Sequence, residues 1–292
     1  MATIRILEPG DEALVERFCA RYPDTTLFFR SNVLVAGLKD RGERRQGTYA
    51  AAIEAEEIVA LVSHVWLGNI LLEAPVHLAS VVRAAVRHSG RPVEGVVGPH
   101  AQVAACREAL GLAKASVKMD SKEDLFSLDL AALQVPAALS DGGLTARHPV
   151  ETDVPLLVAW RADYAVEALH DTDGPALRAQ FEKQLRNPAV WADQWLLEER
   201  GRPVSFTAFN ARTPDSVQIG GVWTPPAERS KGYARAAVAA SLLEARSGGV
   251  QRSILFTDTE NYAAQACYRH LGYALVGDYA ILLFEDEHRP TE

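Results

Sequence analysis

The most informative segment of the chain is VQIGGVWTPPAERSKGYARAAVAASLLEARSGG, residues Val217 to Gly249. A short apolar run ends at a pair of prolines, a turn of the form Arg-x-x-Gly-x-Ala follows, and then an alanine-rich helix begins. The free N–H groups of a first helical turn point outward, and the helix dipole adds partial positive charge to them. This order of strand, glycine turn and helix N-terminus therefore indicates a site for the phosphate oxygens of a cofactor.

The residues of the turn suit a phosphate group. Neither Pro225 nor Pro226 can donate to a β-ladder, so the strand must stop by Thr224. Gly232 lets the backbone come close to a phosphate, and Ala234 keeps the first helical turn small. An ordinary strand-to-helix turn is an equally good interpretation of this pattern on its own, because short glycine motifs are weak signals.

Basic side chains surround the same turn. Arg229 and Lys231 precede the glycine, and Arg235 in the helix is a third candidate. Their positive charge would favour a bound anion. The Gly-Lys-Ser/Thr sequence is absent from the turn, so it is not a Walker P-loop.

A second pattern, FTDTENYAAQACYRHLGY, begins at Phe256. Asn261 stands at the end of a strand, where it can cap the following helix, and Gly272 suits the far end. Asn261, Ala264 and Tyr268 are spaced so that they lie on one helical face. A cap, a spacer and a packed aromatic residue would be the simplest explanation, but two such patterns so close together are harder to dismiss.

Together the two patterns resemble a known family. They are similar to the conserved motifs of the GNAT superfamily of N-acetyltransferases at Arg229-x-x-Gly232-x-Ala234, Asn261-x-x-Ala264-x-x-x-Tyr268 and Leu271-Gly272-Tyr273. The match covers roughly Gln218 to Tyr273, and the resemblance extends the same fold to Gly143–Phe284. The combination is specific for acyl-CoA binding and much less specific for the substrate.

The order of predicted elements suggests that the chain is duplicated. Short sequence matches between the two halves support this. Ala105-Cys106 and Leu110-Gly111 match Ala266-Cys267 and Leu271-Gly272. The resemblance implies an α/β (α+β) protein with two GNAT-like domains, each a mixed, mostly antiparallel sheet flanked by helices. A degenerate N-terminal domain would span residues 1–135 and help to enclose the acceptor site, and a catalytic domain would span residues 143–292. The first copy lacks the Arg-x-x-Gly-x-Ala turn, so we expect it to have lost the phosphate site.

The resemblance also implies roles for individual residues. The strand Val217–Trp223 would splay from Ser253–Phe256, and pantetheine would lie in the resulting V-shaped split. Gly220-Gly221 suits a β-bulge or a close approach there. Tyr268 would be the general acid that protonates the departing CoA thiolate. The residues expected to bind acetyl-CoA, through side chains or backbone, are Val222, Thr224, Arg229, Ser230, Lys231, Gly232, Tyr233, Ala234, Asn261 and Ala264.

The implied reaction transfers an acetyl group from acetyl-CoA to a primary amine of a small molecule or peptide, by direct attack in a ternary complex. A backbone N–H would polarise the carbonyl group, and Tyr268 would supply a proton. Many relatives place a glutamate on the strand before the turn, but Val217–Trp223 contains no carboxylate. The base is therefore unassigned. Water is one candidate. The others are Asp258, Glu260, Glu167 and His170, and each of these is equally well explained as an ordinary surface residue.

Two other functions stay open from the sequence. A non-catalytic acyl-CoA-binding or regulatory module would explain the missing strand carboxylate. A tandem GNAT acyltransferase of the mycothiol synthase type would act on an amino-sugar thiol precursor. Trp160, Trp191 and Trp195 lie where the resemblance places an acceptor pocket, but core packing is the more usual role of tryptophan.

Composition argues against several other classes of protein. The net charge of −8 disfavours a nucleic-acid binder, and no apolar run approaches a membrane span. The N-terminus carries acids and lacks a continuous apolar core, so no signal peptide is expected. Cys19, Cys106 and Cys267 are far apart and show no metal-ligand spacing. We therefore expect reduced thiols, no metal and a cytoplasmic location, whereas the oligomeric state is not predicted.

Overall fold

The computed structural model describes residues 2–289, which form two compact units. The first unit contains the described residues up to Leu125, together with Phe256–Glu260 and the residues from Val276 onward. The second unit contains Phe126–Leu255 and Asn261–Leu275. Each unit therefore draws on both halves of the chain.

The first half of the chain has the element order β-α-α-β-β-β-α-β-α-β. Its elements are β1 (Thr3–Ile6), α1 (Glu12–Cys19), α2 (Leu27–Ala36), β2 (Gly47–Glu54), β3 (Glu57–Val65), β4 (Asn69–Glu73), α3 (Leu78–Ser89), β5 (Val93–Gly98), α4 (His100–Ala109) and β6 (Val117–Asp129).

After a short helix the same order returns in the second half. The elements are α5 (Ala137–Ser140), β7 (Leu144–Arg147), α6 (Val154–Leu169), α7 (Pro175–Leu185), β8 (Gln194–Glu199), β9 (Arg202–Arg212), β10 (Ser216–Trp223), α8 (Tyr233–Ser247), β11 (Arg252–Asp258), α9 (Tyr262–His270) and β12 (Ala274–His288). None of the helices in the described part of the chain has the length and the apolar composition needed to cross a membrane.

Strands β1-β2-β3-β4-β5-β12 follow one another in the sheet of the first unit, and the part of β6 up to Leu125 lies next to β12. Neighbouring strands in it are antiparallel, except for β4 and β5, which are parallel. Helix α3 packs an apolar stripe on the core of this unit. The stripe forms because Val81, Val82, Ala85 and Val86 recur on one helical face.

The sheet of the second unit has the strand order β11-β10-β9-β8-β7, and the C-terminal end of β6 borders β11. Strands β10 and β11 are parallel, whereas β7 to β10 are antiparallel to their neighbours. One core of this unit contains Leu242 of α8, and another contains Leu157 of α6. The mixed, mostly antiparallel sheets predicted from the sequence are confirmed.

The compact units differ from the predicted domain division. Residues 126–135, predicted in the N-terminal domain, belong to the second unit. The residues from Val276 onward, predicted in the C-terminal domain, belong to the first unit, because β12 forms an antiparallel ladder with β5. Pairing between strands so far apart in sequence leaves no local pattern, so the sequence could not reveal it. The domain assignment 1–135 and 143–292 stays a prediction.

Candidate active site

The parallel ladder between β10 and β11 is short. It contains the pairs Ser216–Arg252, Val217–Ser253 and Gln218–Ile254. Beyond Gln218, β10 runs on to Trp223 and stays paired with β9. The backbone of β10 after Gln218 therefore has an edge that the β11 ladder does not occupy, as the predicted split requires.

A β-bulge interrupts β10 at its two glycines. The register with β9 shifts between Ile219 and Val222, which confirms the bulge predicted at Gly220-Gly221. A Cβ atom at Gly220 would lie 2.2 Å from Oδ1 of Asn210, so this side chain packs directly on the glycine. Bulges redirect backbone groups away from the regular ladder, and this one lies on the strand that leads towards the turn at Arg229–Gly232.

The turn before α8 adopts left-handed backbone conformations. Ser230 has φ +64°, which is costly for a residue with a side chain, and Gly232 has φ +80°. Gly232 is the N-cap of α8 and has no side chain with which to cap it. The N–H groups of the first turn, beginning at Tyr233, are therefore left for another acceptor. The structure thus places Ser230 to Ala234 at a helix N-terminus suited to an anion.

Arg229 is directed towards α6 rather than towards the turn. Its Nε donates to the carbonyl oxygen of Thr224 at 3.0 Å, and its Nη2 donates to Oε2 of Glu167 at 2.9 Å. Its guanidinium carbon lies 5.0 Å from the centroid of a Trp223 ring. Arg229 therefore links the end of β10 to α6 in this structure.

Lys231 is also paired within the turn. Its Nζ donates to Oε2 of Glu228 at 2.9 Å, and Nη1 of Arg202 donates to the other carboxylate oxygen at 2.6 Å. These hydrogen bonds lower the pKa of Glu228 to about 2, so its carboxylate is ionised at neutral pH. The sequence analysis does not single out Glu228, although its position three residues before Lys231 is the signal of such a pair.

Arg235 lies beside the N-cap of α8. Its Nη2 is 3.8 Å from the place that a Cβ atom of Gly232 would occupy. Its Nε is buried and has no hydrogen-bond partner among residues 2–289. A buried donor without a partner is uncommon in folded proteins and calls for an explanation. A bound anion at the N-terminus of α8 would provide one.

The predicted α9 residues make the contacts of an ordinary helix. Oδ1 of Asn261 accepts the N–H of Ala264 at 3.1 Å and so caps α9. Ala264 packs against the core, and Tyr268 is only 8% exposed. The ring of Tyr268 lies 6.4 Å from Phe126 and 5.9 Å from Tyr273, measured between centroids. The cap, the spacer and the packed aromatic are thus all present, and the cofactor roles of these residues stay predictions.

The four candidate bases fall in different places. Asp258 and Glu260 belong to the first unit, where Oδ1 of Asp258 accepts the N–H of Glu260 at 2.6 Å. Glu167 and His170 lie at the C-terminal end of α6 in the second unit, and Glu167 is paired with Arg229. These contacts identify none of them as the base, which stays unassigned.

The three tryptophans are structural. Trp195 is buried, and its Nε1 donates to Oε2 of Glu244 at 2.7 Å. Trp160 is a buried residue of α6, and Nε1 of Trp191 donates to the carbonyl oxygen of Leu185 at 3.0 Å. Their core packing agrees with the interpretation that the sequence favours.

Comparison with protein families identifies the segment that contains this site. Residues 155–273 match the family model described as Acetyltransferase (GNAT) family, and this part of the chain is a GNAT domain. No curated protein matches the chain by sequence.

Solved structures resemble the whole chain. A Drosophila protein is 11% identical, with 97% of this chain and 99% of that chain covered and a TM-score of 0.67. A GCN5-related N-acetyltransferase from Sphaerobacter thermophilus is 16% identical over 100% and 97% of the two chains, with a TM-score of 0.56. A tandem GNAT protein from the clavulanic acid biosynthesis pathway is 12% identical over 100% of both chains, with a TM-score of 0.51. At sequence identities this low, the structural similarity shows the fold alone.

Proposed function

We propose that the second unit binds acetyl-CoA and transfers its acetyl group to a primary amine by direct attack in a ternary complex. The observation that carries this proposal is the uncapped N-terminus of α8 at Gly232. The turn before it follows β10, whose ladder with β11 ends at Gln218. The segment that holds both features matches the GNAT family model, whose members use acyl-CoA.

The chain's own groups would hold the cofactor along β10 and α8. The N–H groups of Ser230 to Ala234 would bind the diphosphate, with the uncapped helix N-terminus supplying partial positive charge. The backbone near Val222 and Thr224 would bind the pantetheine amides. Asn261 and Ala264, at the start of α9, would contact the cofactor arm.

Few side chains are needed for the chemistry. Acetyl-CoA supplies an acyl thioester, whose C–S bond breaks as the amine forms the new C–N bond and gives up a proton to the unassigned base or to water. A backbone N–H of β10 would stabilise charge on the carbonyl oxygen, and Tyr268 would donate a proton to the sulfur atom. Holding both reactants close together and correctly oriented can lower the activation barrier by roughly 7–11 kcal/mol.

Calorimetric titration with acetyl-CoA tests the binding step. Ala234→Asp adds a carboxylate to the first turn of α8, where the helix dipole favours it but a diphosphate is repelled. Ala176→Asp is the matched control, because Ala176 is an exposed residue in the first turn of α7. We expect wild type and Ala176→Asp to bind acetyl-CoA and Ala234→Asp to lose binding. Absence of binding to wild type at millimolar ligand would refute the proposal.

A non-catalytic acyl-CoA-binding module is the second candidate. Two observations favour it. Strand β10 carries no carboxylate, and Tyr268, the proposed proton donor, is buried with only 8% of its surface exposed. Mass spectrometry of a broad panel of amines incubated with acetyl-CoA separates the two functions. Acetylation of any amine supports the enzyme, whereas binding with neither acetylation nor thioester hydrolysis supports the module.

A further inference from the structure

Two carboxylates of the first unit meet where β6 runs beside the end of β11. Glu123 lies on β6, and Asp258 is the last residue of β11. The backbones are linked there, because the N–H of Thr259 donates to the carbonyl oxygen of Lys122 at 3.2 Å. The hydroxyl of Ser121 reaches both carboxylates: it donates to Oε1 of Glu123 at 2.5 Å and lies 3.4 Å from Oδ2 of Asp258. Glu123 and Asp258 are therefore close neighbours across the two strands.

Glu123 has an environment that disfavours a negative charge. It is only 5% exposed, whereas Asp258 is exposed. A buried carboxylate is costly unless a cation and hydrogen bonds compensate for the lost water. The charged groups that act on Glu123 are Asp258 on β11 and Asp124 on its own strand, both acidic, and no basic side chain among residues 2–289 offsets them. Burial, with the neighbouring charges added to it, raises the pKa of Glu123 against the opposing effect of the Ser121 hydrogen bond.

The hydroxyl of Ser121 cannot satisfy two anions at once, because it has a single proton to donate. When Glu123 is neutral, its own O–H can donate to Oγ of Ser121, and Ser121 can then donate to Asp258. Each donor in this chain has an acceptor. When both carboxylates are ionised, two negative charges share one donor, and like charges on neighbouring strands repel each other. The proton on Glu123 therefore decides whether the contact attracts or repels the two strands.

We propose that Glu123, Ser121 and Asp258 form a pH-sensitive contact, which holds β6 to the end of β11 while Glu123 is protonated and loosens when that proton is released to water. The direction of the pH dependence follows from linkage. The pKa of Glu123 in the folded chain lies above its ordinary value of 4.5, so the stabilising contribution is fully present below that value. It is lost as pH rises through the higher pKa of the folded chain.

Thermal melts of the full chain with Glu123→Gln test this contact, because the amide has nearly the same shape and stays neutral at every pH. Near pH 5 the variant and wild type should melt at similar temperatures. At about pH 8.5 the variant should melt at least about 2 °C higher than wild type. Glu285→Gln is the matched control, since Glu285 is an exposed carboxylate on β12 of the same unit. Its difference from wild type should be the same at both pH values.

A double-mutant cycle at about pH 8.5 separates the paired carboxylates from burial alone. Asp258→Asn should raise the melting temperature of wild type but have a much smaller effect in Glu123→Gln, because the repulsion is already gone. Additive effects of the two substitutions, or a gain from Glu123→Gln that is equal at both pH values, would show the proposal to be wrong. Should Glu123→Gln fail to fold, hydrogen exchange of wild type decides. Corrected for the intrinsic rate, residues 119–125 should exchange several-fold faster at pH 8.5 than at pH 5, and unchanged protection would contradict the proposal.

Discussion

Arg235, in the first turn of α8, differs in its partners from Arg229 and Lys231, the basic residues of the preceding turn. Arg229 and Lys231 are each bound to a carboxylate, from Glu167 and Glu228. The buried Nε of Arg235 has no hydrogen-bond partner in the described chain. Three cations that look equivalent in the sequence are therefore unequal in the structure, and the difference predicts which of them a diphosphate would engage.

Arg235→Met should weaken acetyl-CoA binding about 10-fold or more, since a hydrogen bond to a charged group is worth about 1.5–3 kcal/mol. Arg229→Met and Lys231→Met remove the same charge from side chains that are already paired and half-exposed, so each should change the dissociation constant less than about threefold. Calorimetry on the three variants makes the comparison. Equal losses would mean that net charge alone governs binding.

Tyr268 can be tested without disturbing its packing. Tyr268→Phe keeps the ring contacts with Phe126 and Tyr273 but removes the hydroxyl group. Acetyl-CoA binding should be unchanged, and turnover with an amine found by screening should fall roughly 10²–10⁴-fold, as for loss of a general acid. Tyr273→Phe is the matched control, because its hydroxyl binds Oγ of Ser253 at 2.6 Å in the same core. Similar turnover in both variants would remove the proton-donor role.

At the scale of elements, His148 connects the end of β7 to α8. Its Nδ1 lies 3.1 Å from the carbonyl oxygen of Trp191 and 2.9 Å from that of Gln194, and its Nε2 lies 2.9 Å from Oε1 of Glu244. Burial disfavours the charged ring, but these hydrogen bonds outweigh burial and raise the pKa of His148. The imidazolium form, which donates through both nitrogens, is therefore the better fit.

Because the pKa of His148 is raised, the stabilisation that its hydrogen bonds provide depends on pH. Its stabilising contribution is fully present below the unfolded pKa of about 6.5 and is lost as pH rises through the higher folded pKa of His148. His148→Gln should therefore lower the melting temperature most near pH 5.5, and the difference from wild type should shrink towards about pH 8.5. Thermal melts of both proteins across that range provide the test, and a constant difference would contradict it.

Elements with a strong local signal could be predicted from the sequence. The proline pair and Gly232 predicted the end of β10 and the start of α8, and the two glycines predicted the bulge. Helix α2 has no predicted counterpart, because it buries Ser31 and Asn32 while Leu34 and Val35 are more than half exposed. Its apolar residues do not form the single stripe on which helix prediction relies.

The length of β6 shows the same limit for strands. The apolar pattern LFSLDL, Leu125–Leu130, predicts a strand over those residues alone, whereas β6 begins at Val117. Its first part reads VKMDSKED, and the face that it buries includes Ser121 and Glu123. Pairing with neighbouring strands, rather than local propensity, sets this structure. Likewise, Glu167 comes close to Arg229 only on folding, whereas Glu228 stands three residues before Lys231 in the sequence.

Across the whole chain, the two copies of the element order differ at one pair of equivalent strands, β4 before α3 and β10 before α8. In the first unit the end of β4 is closed by hydrogen bonds. Oε1 of Gln102 accepts the N–H of Ala74 at 2.6 Å, and its Nε2 donates to Oε1 of Glu73 at 3.0 Å. Thr25 binds the other carboxylate oxygen of Glu73, which is 3% exposed. The side chain of Gln102 thus binds both the backbone N–H and the carboxylate where β4 ends.

These hydrogen bonds at the end of β4 predict how many acetyl-CoA molecules one chain binds. Since the backbone N–H that follows β4 already has a partner, and no glycine turn opens α3, one acetyl-CoA should bind per chain. Native mass spectrometry should show one bound molecule for wild type and for Ala176→Asp, and none for Ala234→Asp. Two molecules per wild-type chain, or one that persists in Ala234→Asp, would place a cofactor in the first unit. Its hydrogen-bonded end would then have to open, because Gln102 and a pantetheine amide compete for the same N–H group.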